Sequence, residues 1–433
     1  MIANREEEVP LAFDPRHPHA ARAIGEPRAE PEVNLFVRDL PERSRCALRI
    51  NLPELHAAAV YGRAPPRQLG YRCARMRIVH VVLTLNIGGQ ERLILNLSRE
   101  LARRGHDVHV ISLTPGGELR REFDGIPVHD VTRTSRASGL VFLRMAAMLR
   151  SLGPDVVHTH NQAPFVYAAT TARLVGVRRV VHTKHGESGY VGKASAFARA
   201  NVQLLSAFVA VSEETAEVAR TREHVPRRVL RVIPNGIPLE AFAPNAEARA
   251  RVRAEHGIPE DAFVVGSVGR LVPEKNYALC VRAMAPLLGE KTRLLLVGEG
   301  KSRGEIEAQI PKDLAKYVVL AGARSDVPAQ LAAMDAFTLT SDTEGLPLAV
   351  AEAMSCALPV VATRVGALAS IVPDSVGALV DAGDAASLTR EYRKLRDDLG
   401  LRKRRAEAAR NYAHERFSLE RMTDAYLRLY EGE

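Results

Sequence analysis

The chain has 433 residues, of which 46% are hydrophobic and 26% are charged, and its formal net charge is +9. This length and composition are typical of a globular protein with two or three domains. No apolar stretch reaches the roughly 18 residues of a membrane-spanning helix, and the first thirty residues lack the apolar core of a signal peptide.

The positive charge favours an anionic ligand, an acidic membrane surface or nucleic acid as partner. Nucleic acid is the weakest of these, because aromatic residues make up only 5% of the chain, Trp is absent and no recognition motif occurs. The four cysteines have no metal-binding or redox spacing. We therefore expect reduced thiols, a cytoplasmic location and no nucleic-acid partner.

Residues 1–75 differ from the rest of the chain. They contain nine Pro and no Lys and show no sustained hydrophobic period, so they can bury little apolar surface. Met76 then begins the apolar run MRIVHVVLTL, which predicts a first buried strand. We expect the folded protein to start at Met76, with residues 1–75 either disordered or an extended start assignment.

A first series of buried strands and amphipathic helices follows. The pattern predicts strands over 77–84, 108–113, 156–158, 180–182, 208–211 and 230–233, and helices over 90–104, 168–175 and 194–206. Gly88 and Gly89, after the first strand, allow backbone amides to approach a phosphate, although a bare turn explains them equally well. Their spacing is not G-x-G-x-x-G, which counts against a dinucleotide site.

Polar residues follow two of these strands. His158, His160 and Asn161 come at the end of one strand, and His185 comes after the next. A histidine there can hydrogen-bond a substrate hydroxyl, but a lone histidine is more often structural. The Pro-Asn-Gly sequence at 234–236 predicts a turn.

A second βα series has predicted strands over 263–268, 293–297, 318–321, 336–339 and 360–362. Arg270 and Lys275 follow its first strand and can neutralise a diphosphate, although solvated surface charge is the alternative. Later loops contain Gly298 with Gly300, and Arg324 with Asp326.

The stretch SDTEGLPLAVAEAMSCALPVVAT, residues 341–363, predicts a loop, a helix beginning near Pro347 and a strand. Glu344 lies in the loop and Glu352 on the helix, with seven residues between them. Such acids can accept hydrogen bonds from sugar and ribose hydroxyls. Alternatively, one acid complements the helix dipole and the other is solvated.

These residues resemble the E-x7-E signature of retaining family 4 glycosyltransferases, including the Gly-Leu-Pro and Pro-Val-Val-Ala-Thr segments. The resemblance covers most of the chain after residue 75. It implies an α/β fold with two Rossmann-like domains facing each other across a cleft, the GT-B arrangement. The implied parts are an N-terminal extension (1–75), an acceptor domain (76–237), a nucleotide-sugar domain (238–410) and a C-terminal helix that crosses back to the first domain (411–433).

The resemblance also implies roles for the motifs. The implied catalytic residues are Glu344, His185, Arg270 and Lys275. Donor binding is implied for Gly88, Gly89, Arg270, Lys275, Glu344, Gly345, Leu346 and Glu352. The implied nucleobase loops contain Gly298, Gly300, Arg324 and Asp326, and the acceptor side contains His158, His160 and Asn161. The sequence departs from the family pattern at Pro238, Ala357, Gly366, Ala367 and Ser370.

The implied reaction is retaining transfer of a hexose-type sugar from a nucleotide-diphosphate sugar, with a UDP-sugar favoured. The acceptor would be a hydroxyl of a glycan or lipid-linked molecule, in bacterial cell-envelope or exopolysaccharide synthesis. No Asp-x-Asp pattern is present, so we expect no metal and no cofactor. A nucleotide-sugar epimerase and a catalytically silent nucleotide-sugar-binding protein remain alternatives. A phosphorylase that uses pyridoxal phosphate is disfavoured because no Schiff-base lysine motif occurs.

The charge also bears on location. Lys193 and Arg199 lie beside apolar positions of the predicted helix over 194–206. Together with the net charge of +9, they predict a peripheral contact with the anionic inner face of a membrane. Electrostatic steering of an anionic substrate is the alternative.

Overall fold

The computed structural model describes residues 75–132, 138–186 and 199–433. The expectations for residues 1–74, for Lys193 and for the start of the helix over 194–206 lie outside these ranges. No helix within them is both long and apolar enough to cross a membrane.

The first half of the described chain forms a sheet of seven parallel strands in the order β3-β2-β1-β4-β5-β6-β7. Most residues of the five inner strands are buried, as expected for a parallel sheet covered on both faces by helices, whereas the edge strands β3 and β7 are only partly buried. The strands are β1 (Arg77–Val82), β2 (Asp107–Ser112), β3 (Val128–Asp130), β4 (Val156–His160), β5 (Arg179–Lys184), β6 (Ala207–Ala210) and β7 (Leu230–Val232). Its helices are α1 (Gly89–Arg103), α2 (Ser138–Leu152), α3 (Gln162–Pro164), α4 (Thr170–Leu174) and α5 (Glu213–Thr221), with a π-helical turn at Phe165–Ala169.

The second half forms a sheet of six parallel strands in the order β10-β9-β8-β11-β12-β13. These strands are β8 (Phe263–Val268), β9 (Thr292–Val297), β10 (Val318–Leu320), β11 (Ala336–Leu339), β12 (Val360–Thr363) and β13 (Gly377–Val380). Its helices are α6 (Ala246–Glu255), α7 (Tyr277–Met284), α8 (Arg303–Ala308), α9 (Val327–Ala332), α10 (Leu348–Ser355), α11 (Leu368–Ile371), α12 (Ala385–Asp397), α13 (Leu399–Arg416) and α14 (Leu419–Glu431). Cys280 and Cys356 are buried free thiols.

In each sheet the strand order reverses direction at one place: between β1 and β4 in the first and between β8 and β11 in the second. Ligands of open parallel sheets bind outside the carboxyl ends of the strands at such a reversal. Four loops therefore mark the two expected binding edges: those that follow β1, β4, β8 and β11.

Two chain segments connect the halves and run side by side. The amide of Ile237 donates to the carbonyl of Phe417 at 2.8 Å, and the amide of Leu419 donates to the carbonyl of Ile237 at 3.1 Å. A side chain at Gly236 would overlap the backbone of Ser418, so this approach requires glycine.

The C-terminal region differs from the prediction of one helix from residue 411 onward. α13 ends at Arg416, and Ser418 caps a separate helix α14 by accepting a hydrogen bond from the amide of Arg421 at 3.2 Å. α14 packs against the first half, where the Tyr426 hydroxyl lies 3.0 Å from Oγ1 of Thr183. The chain therefore crosses back at 417–418 rather than at 411.

Candidate active site

The loops after β8 and β11 are held together by hydrogen bonds. Asn276 has a left-handed backbone (φ 45°) and caps α7, while its side-chain amide donates to Oδ1 of Asp342 at 2.9 Å. The amide of Asp342 donates to the carbonyl of Glu274 at 2.9 Å. These bonds fix the two loops relative to each other.

This arrangement brings Lys275 and Glu344 into contact. Nζ of Lys275 lies 2.5 Å from Oε1 of Glu344, and the same oxygen accepts from Oγ of Ser341. The Glu344 side chain is only 8% exposed, whereas Lys275 is 23% exposed. The carboxylate is thus enclosed and the ammonium group remains partly open to a ligand.

Arg270 is exposed on the loop after β8, close to the amino end of α1 in the other half. Burial raises the pKa of Glu91 on α1, and the nearby positive charge of Arg270 opposes that shift. Gly88 is the N-cap residue of α1 and provides no side-chain cap, while Gly89 is exposed. The amino end of this helix and the guanidinium of Arg270 can together attract an anion.

The two halves meet at His185 and Gly345. A side chain at Gly345 would overlap the carbonyl oxygen of His185, so only glycine allows this approach. The neighbouring Leu346 is buried, and its carbonyl accepts from Nδ2 of Asn235 at 3.2 Å. Of the predicted donor-binding residues of the second half, Gly345 therefore lies directly against His185 of the first.

Glu352 lies on α10, beyond the first turn of the helix. Burial raises the pKa of its carboxyl group to about 7, and the positive charge of Arg92 on α1 opposes the shift. A carboxyl group whose pKa is raised to near neutral pH, close to a cationic side chain, is typical of a ligand-binding site.

The acceptor-side prediction needs correction for two histidines. His158 is fully buried, with Nδ1 2.7 Å from the Tyr430 hydroxyl and Nε2 2.7 Å from Oγ1 of Thr183. His160 is also buried, and both of its ring nitrogens bond to other histidines. Neither ring is available to an acceptor, because protein groups already occupy both nitrogens.

Asn161, by contrast, lies at the sheet edge. It has φ 62°, and its side-chain amide donates to Oε1 of Gln90 on α1. Its own oxygen accepts from the amide of His185 at 3.4 Å. Asn161 thus ties the loop after β4 to the loop after β5 and to α1.

The residues predicted for the nucleobase loops lie further along the same edge of the second sheet. Side chains at Gly298 or Gly300 would overlap the carbonyls of Gly269 and Leu271, so both glycines support the backbone around Arg270. The guanidinium of Arg324 donates to Asp326 at 2.8 Å and to Glu255 at 2.7 Å. The hydrogen bond from Arg324 lowers the pKa of Asp326.

Sequence reasoning missed three residues of this region. Arg92 lies on the polar side of an ordinary amphipathic helix, and Asn235 was interpreted as part of a turn rather than as a residue of the site. His80 lies in the middle of an apolar strand, where no sequence signal marks it as connected to the site. Its partner His160 is distant in sequence and becomes adjacent only through strand pairing.

His80, His158 and His160 also form a group in which one nitrogen of each ring lies within 4.8 Å of the others. Hydrogen bonds to each other, to Tyr430 and to Thr183 already use most of these nitrogens. The arrangement is therefore explained by hydrogen bonding between neutral rings.

Comparison with known proteins identifies the family. The profile described as Glycosyltransferase Family 4 matches residues 87–241, and that described as Glycosyl transferases group 1 matches residues 248–412. The lipopolysaccharide core biosynthesis glycosyltransferase LpsD of Rhizobium meliloti is 30% identical over 362 residues, which cover 82% of this chain and 98% of LpsD. The chain belongs to the family 4 glycosyltransferases.

Two further proteins show the range of this family. A UDP-Gal:alpha-D-GlcNAc-diphosphoundecaprenol alpha-1,3-galactosyltransferase of Escherichia coli is 27% identical over 349 residues, covering 75% of this chain and 89% of that enzyme. The crystal structure of Anabaena HepE in complex with UDP superposes with a TM-score of 0.73 at 22% identity, covering 82% of this chain and 99% of HepE. The family 4 chain therefore has the GT-B fold, with two parallel-sheet domains, and is a glycosyltransferase.

Proposed function

We propose that this glycosyltransferase moves a hexose-type sugar from a UDP-sugar to a hydroxyl of a glycan or lipid-linked acceptor in bacterial cell-envelope or exopolysaccharide synthesis. The observation that carries the proposal is the meeting of the two halves at His185 and Gly345, next to the Lys275–Glu344 pair. The relatives that act in lipopolysaccharide core synthesis and on a diphosphoundecaprenol-linked sugar support this choice of pathway and acceptor.

The proposed reaction retains the configuration at the anomeric carbon. The bond from this carbon to the diphosphate oxygen breaks, the acceptor oxygen forms the new bond on the same face, and the acceptor proton passes to the departing phosphate. Arg270, Lys275 and the amides at Gly88 and Gly89 stabilise the charge that develops on the leaving group.

In this proposal Glu344 and His185 contact the donor sugar, and Glu352 accepts hydrogen bonds from the ribose. Asn161 lies in the part of the site that binds the acceptor. Two cationic side chains and the amino end of a helix can neutralise the diphosphate, so we propose that transfer requires no divalent ion. Activity that persists in excess EDTA would agree with this, and activity lost in EDTA and restored by Mg²⁺ or Mn²⁺ would contradict it.

The test is a screen of purified protein against a panel of nucleotide sugars, with wild-type protein beside Arg270→Ala and Lys275→Ala. Each substitution should slow transfer by roughly 10²–10³-fold, as expected for loss of one preorganised charge. Lys291→Ala is the matched control, since Lys291 is an exposed lysine of the same half that pairs with Asp261. Near-normal transfer by both site variants would place the diphosphate elsewhere.

Product identity separates the alternatives. A nucleotide-sugar epimerase converts the donor without any acceptor, and a silent binding protein neither transfers nor hydrolyses it. Transfer that depends on an added acceptor supports the proposal.

We further propose that the enzyme works at the cytoplasmic, anionic face of a membrane. Leu143 on α2 and Leu174 on α4 are 67% and 76% exposed, and these two helices contact each other. Arg144, next to Leu143 in the sequence, is exposed as well. An apolar surface with adjacent positive charge suits an interface of anionic lipid. Liposome flotation with and without anionic lipid tests this, with Leu143→Ser/Leu174→Ser as the weakened variant. Equal and negligible recovery in both kinds of liposome would contradict it.

A further inference from the structure

Three histidines form a hydrogen-bonded chain across the first sheet. His80 lies on β1, His160 ends β4 and His185 follows β5. Nδ1 of His80 lies 3.1 Å from Nε2 of His160, and Nδ1 of His160 lies 3.1 Å from Nε2 of His185. The chain runs from the protein interior to the residue that faces Gly345 in the candidate active site.

All three rings are neutral near pH 7. Burial lowers the pKa of each ring, to about 3 for His80 and for His185 and well below the usual value for His160. A neutral imidazole has one N–H donor and one bare acceptor nitrogen. The two hydrogen bonds can therefore form in only two ways, with every N–H directed toward His80 or every N–H directed toward His185.

The ends of the chain distinguish these two arrangements. Within the described residues, Nε2 of His80 and Nδ1 of His185 are buried atoms with no hydrogen-bond partner. In the first arrangement His80 would hold an N–H in the core with nothing to accept it. Buried N–H groups without a partner are rarer than acceptors without one, because leaving a donor unpaired is costly. The second arrangement makes Nε2 of His80 a bare acceptor and places the unpaired N–H on Nδ1 of His185. His185 lies against Gly345 at the candidate active site, where the oxygen of a bound ligand can accept that N–H.

We propose that His80 and His160 are positioning residues that hold His185 as its Nδ1–H tautomer, which donates a hydrogen bond to a hydroxyl oxygen of the donor sugar. This inference rests on the proposed function above. It has a mechanistic consequence, because Nε2 of His185 accepts from His160 and Nδ1 carries a proton. His185 then has no free acceptor nitrogen and cannot be the base that deprotonates the acceptor hydroxyl.

The tautomer can be measured directly on the full-length protein labelled with 15N-histidine. Long-range 1H–15N spectra distinguish a protonated Nδ1 from a protonated Nε2, and the His185→Gln spectrum assigns the signal. We expect wild-type His185 to have a protonated Nδ1. His160→Leu removes the N–H that Nε2 of His185 accepts, so the proton should move toward Nε2.

Two further variants separate positioning from a general loss of packing. His160→Gln keeps an N–H donor and an acceptor oxygen, so it should retain the Nδ1–H tautomer. His182→Leu is the matched control, since His182 is a fully buried histidine on β5 that stacks on Phe165. It is not one of the three histidines that are hydrogen-bonded in series. His182→Leu should leave the His185 signal unchanged even if it lowers the melting temperature.

Kinetics complete the test. His160→Leu should lower kcat by about 10–100-fold, the usual effect of removing the partner that orients a functional imidazole, and His160→Gln should restore most of it. A wild-type His185 protonated on Nε2, or an unchanged tautomer in His160→Leu, would overturn the proposal. The spectra need no substrate. If Nδ1 of His185 is protonated but the protein transfers no sugar, the control of the His185 tautomer by His160 still holds. That result would contradict the proposed function instead.

Discussion

The carboxyl group of Glu352 lies in an environment that suits ligand binding but does not stabilise its ionised form. Burial raises the pKa of Glu352 from 4.5 to about 7, so ionising it in the folded protein costs free energy. Glu344 is enclosed as well, but it has Lys275 and Ser341 as partners. The two acids that the sequence motif groups together therefore occupy different environments.

Glu352→Gln should stabilise the protein at alkaline pH. Between about pH 4.5 and pH 7 the folded protein keeps a proton on Glu352 that the unfolded chain releases, so the stability of the wild type falls as pH rises through this window. The gain in melting temperature should therefore be larger at pH 8 than at pH 5. Glu407→Gln, at an exposed residue of α13, is the control.

Glu352→Gln should also bind the nucleoside diphosphate more weakly than the wild type, as measured by calorimetry. A gain independent of pH, with unchanged affinity, would remove Glu352 from the site.

At the scale of single elements, the end of α10 shows a conformational cost. Ala357 has φ 58°, and the amide of Leu358 donates to the carbonyl of Ala353 at 3.0 Å. This is the helix ending at which glycine is the preferred residue, and Ala357 stands where the family commonly has one. α1 ends in the same way at Gly105, which has φ 92°.

Ala357→Gly should raise the free energy of unfolding by up to about 1 kcal/mol, because glycine relieves the left-handed strain but loses more chain entropy on folding. Gly105→Ala is the reverse control. A side chain there would meet no atom within 4 Å, so its effect is conformational alone. It should destabilise by a similar amount. Chemical denaturation measures both, and a destabilised Ala357→Gly protein would show that the methyl group of Ala357 contributes more than its backbone strain costs.

The elements also show what sequence can predict. Buried parallel strands are continuous apolar runs, so the eleven predicted strands agree with the observed bounds to within two residues, as for β8 and β11. The edge strands β3 and β13 were not predicted, because they are short and only partly buried. The break at Phe417 was missed because the apolar positions of α13 and α14 continue across it. The Ser-Leu-Glu sequence after it, typical of a helix start, was the available signal.

At the scale of the whole molecule, strand pairing brings together residues that sequence could not connect. Lys275 and Glu344 are 69 residues apart in sequence and form their ion pair because the loops after β8 and β11 lie side by side. The hydrogen bonds between His80, His160 and His185 likewise depend on the strand order β1-β4-β5. Chemistry at loop positions was predictable from residue type and neighbouring motifs. The burial of His158 was not, because it depends on α14, which returns from the far end of the chain.

Five buried histidines should make the fold sensitive to acid. Burial lowers the pKa of His80, His158, His160, His182 and His185. Each takes up a proton when the chain unfolds below pH 6.5, so unfolding binds protons and the stability of the fold should decrease as the pH is lowered from 7 to 5. Glu352 releases a proton on unfolding in part of this range and offsets some of the loss. Denaturation curves from pH 7 to pH 5 test this, and stability that stays level over that range would contradict it.

The most direct test of the central claim, that loops of both halves form one sugar-transfer site, is Glu344→Gln, with turnover, nucleotide affinity and melting temperature measured on one preparation. The substitution removes a charge that can stabilise the sugar in the transition state, and it frees Lys275 to pair with phosphate. We predict that turnover falls by roughly 10²–10³-fold while affinity for the nucleoside diphosphate stays equal or increases. Normal turnover in a folded Glu344→Gln protein would contradict the account.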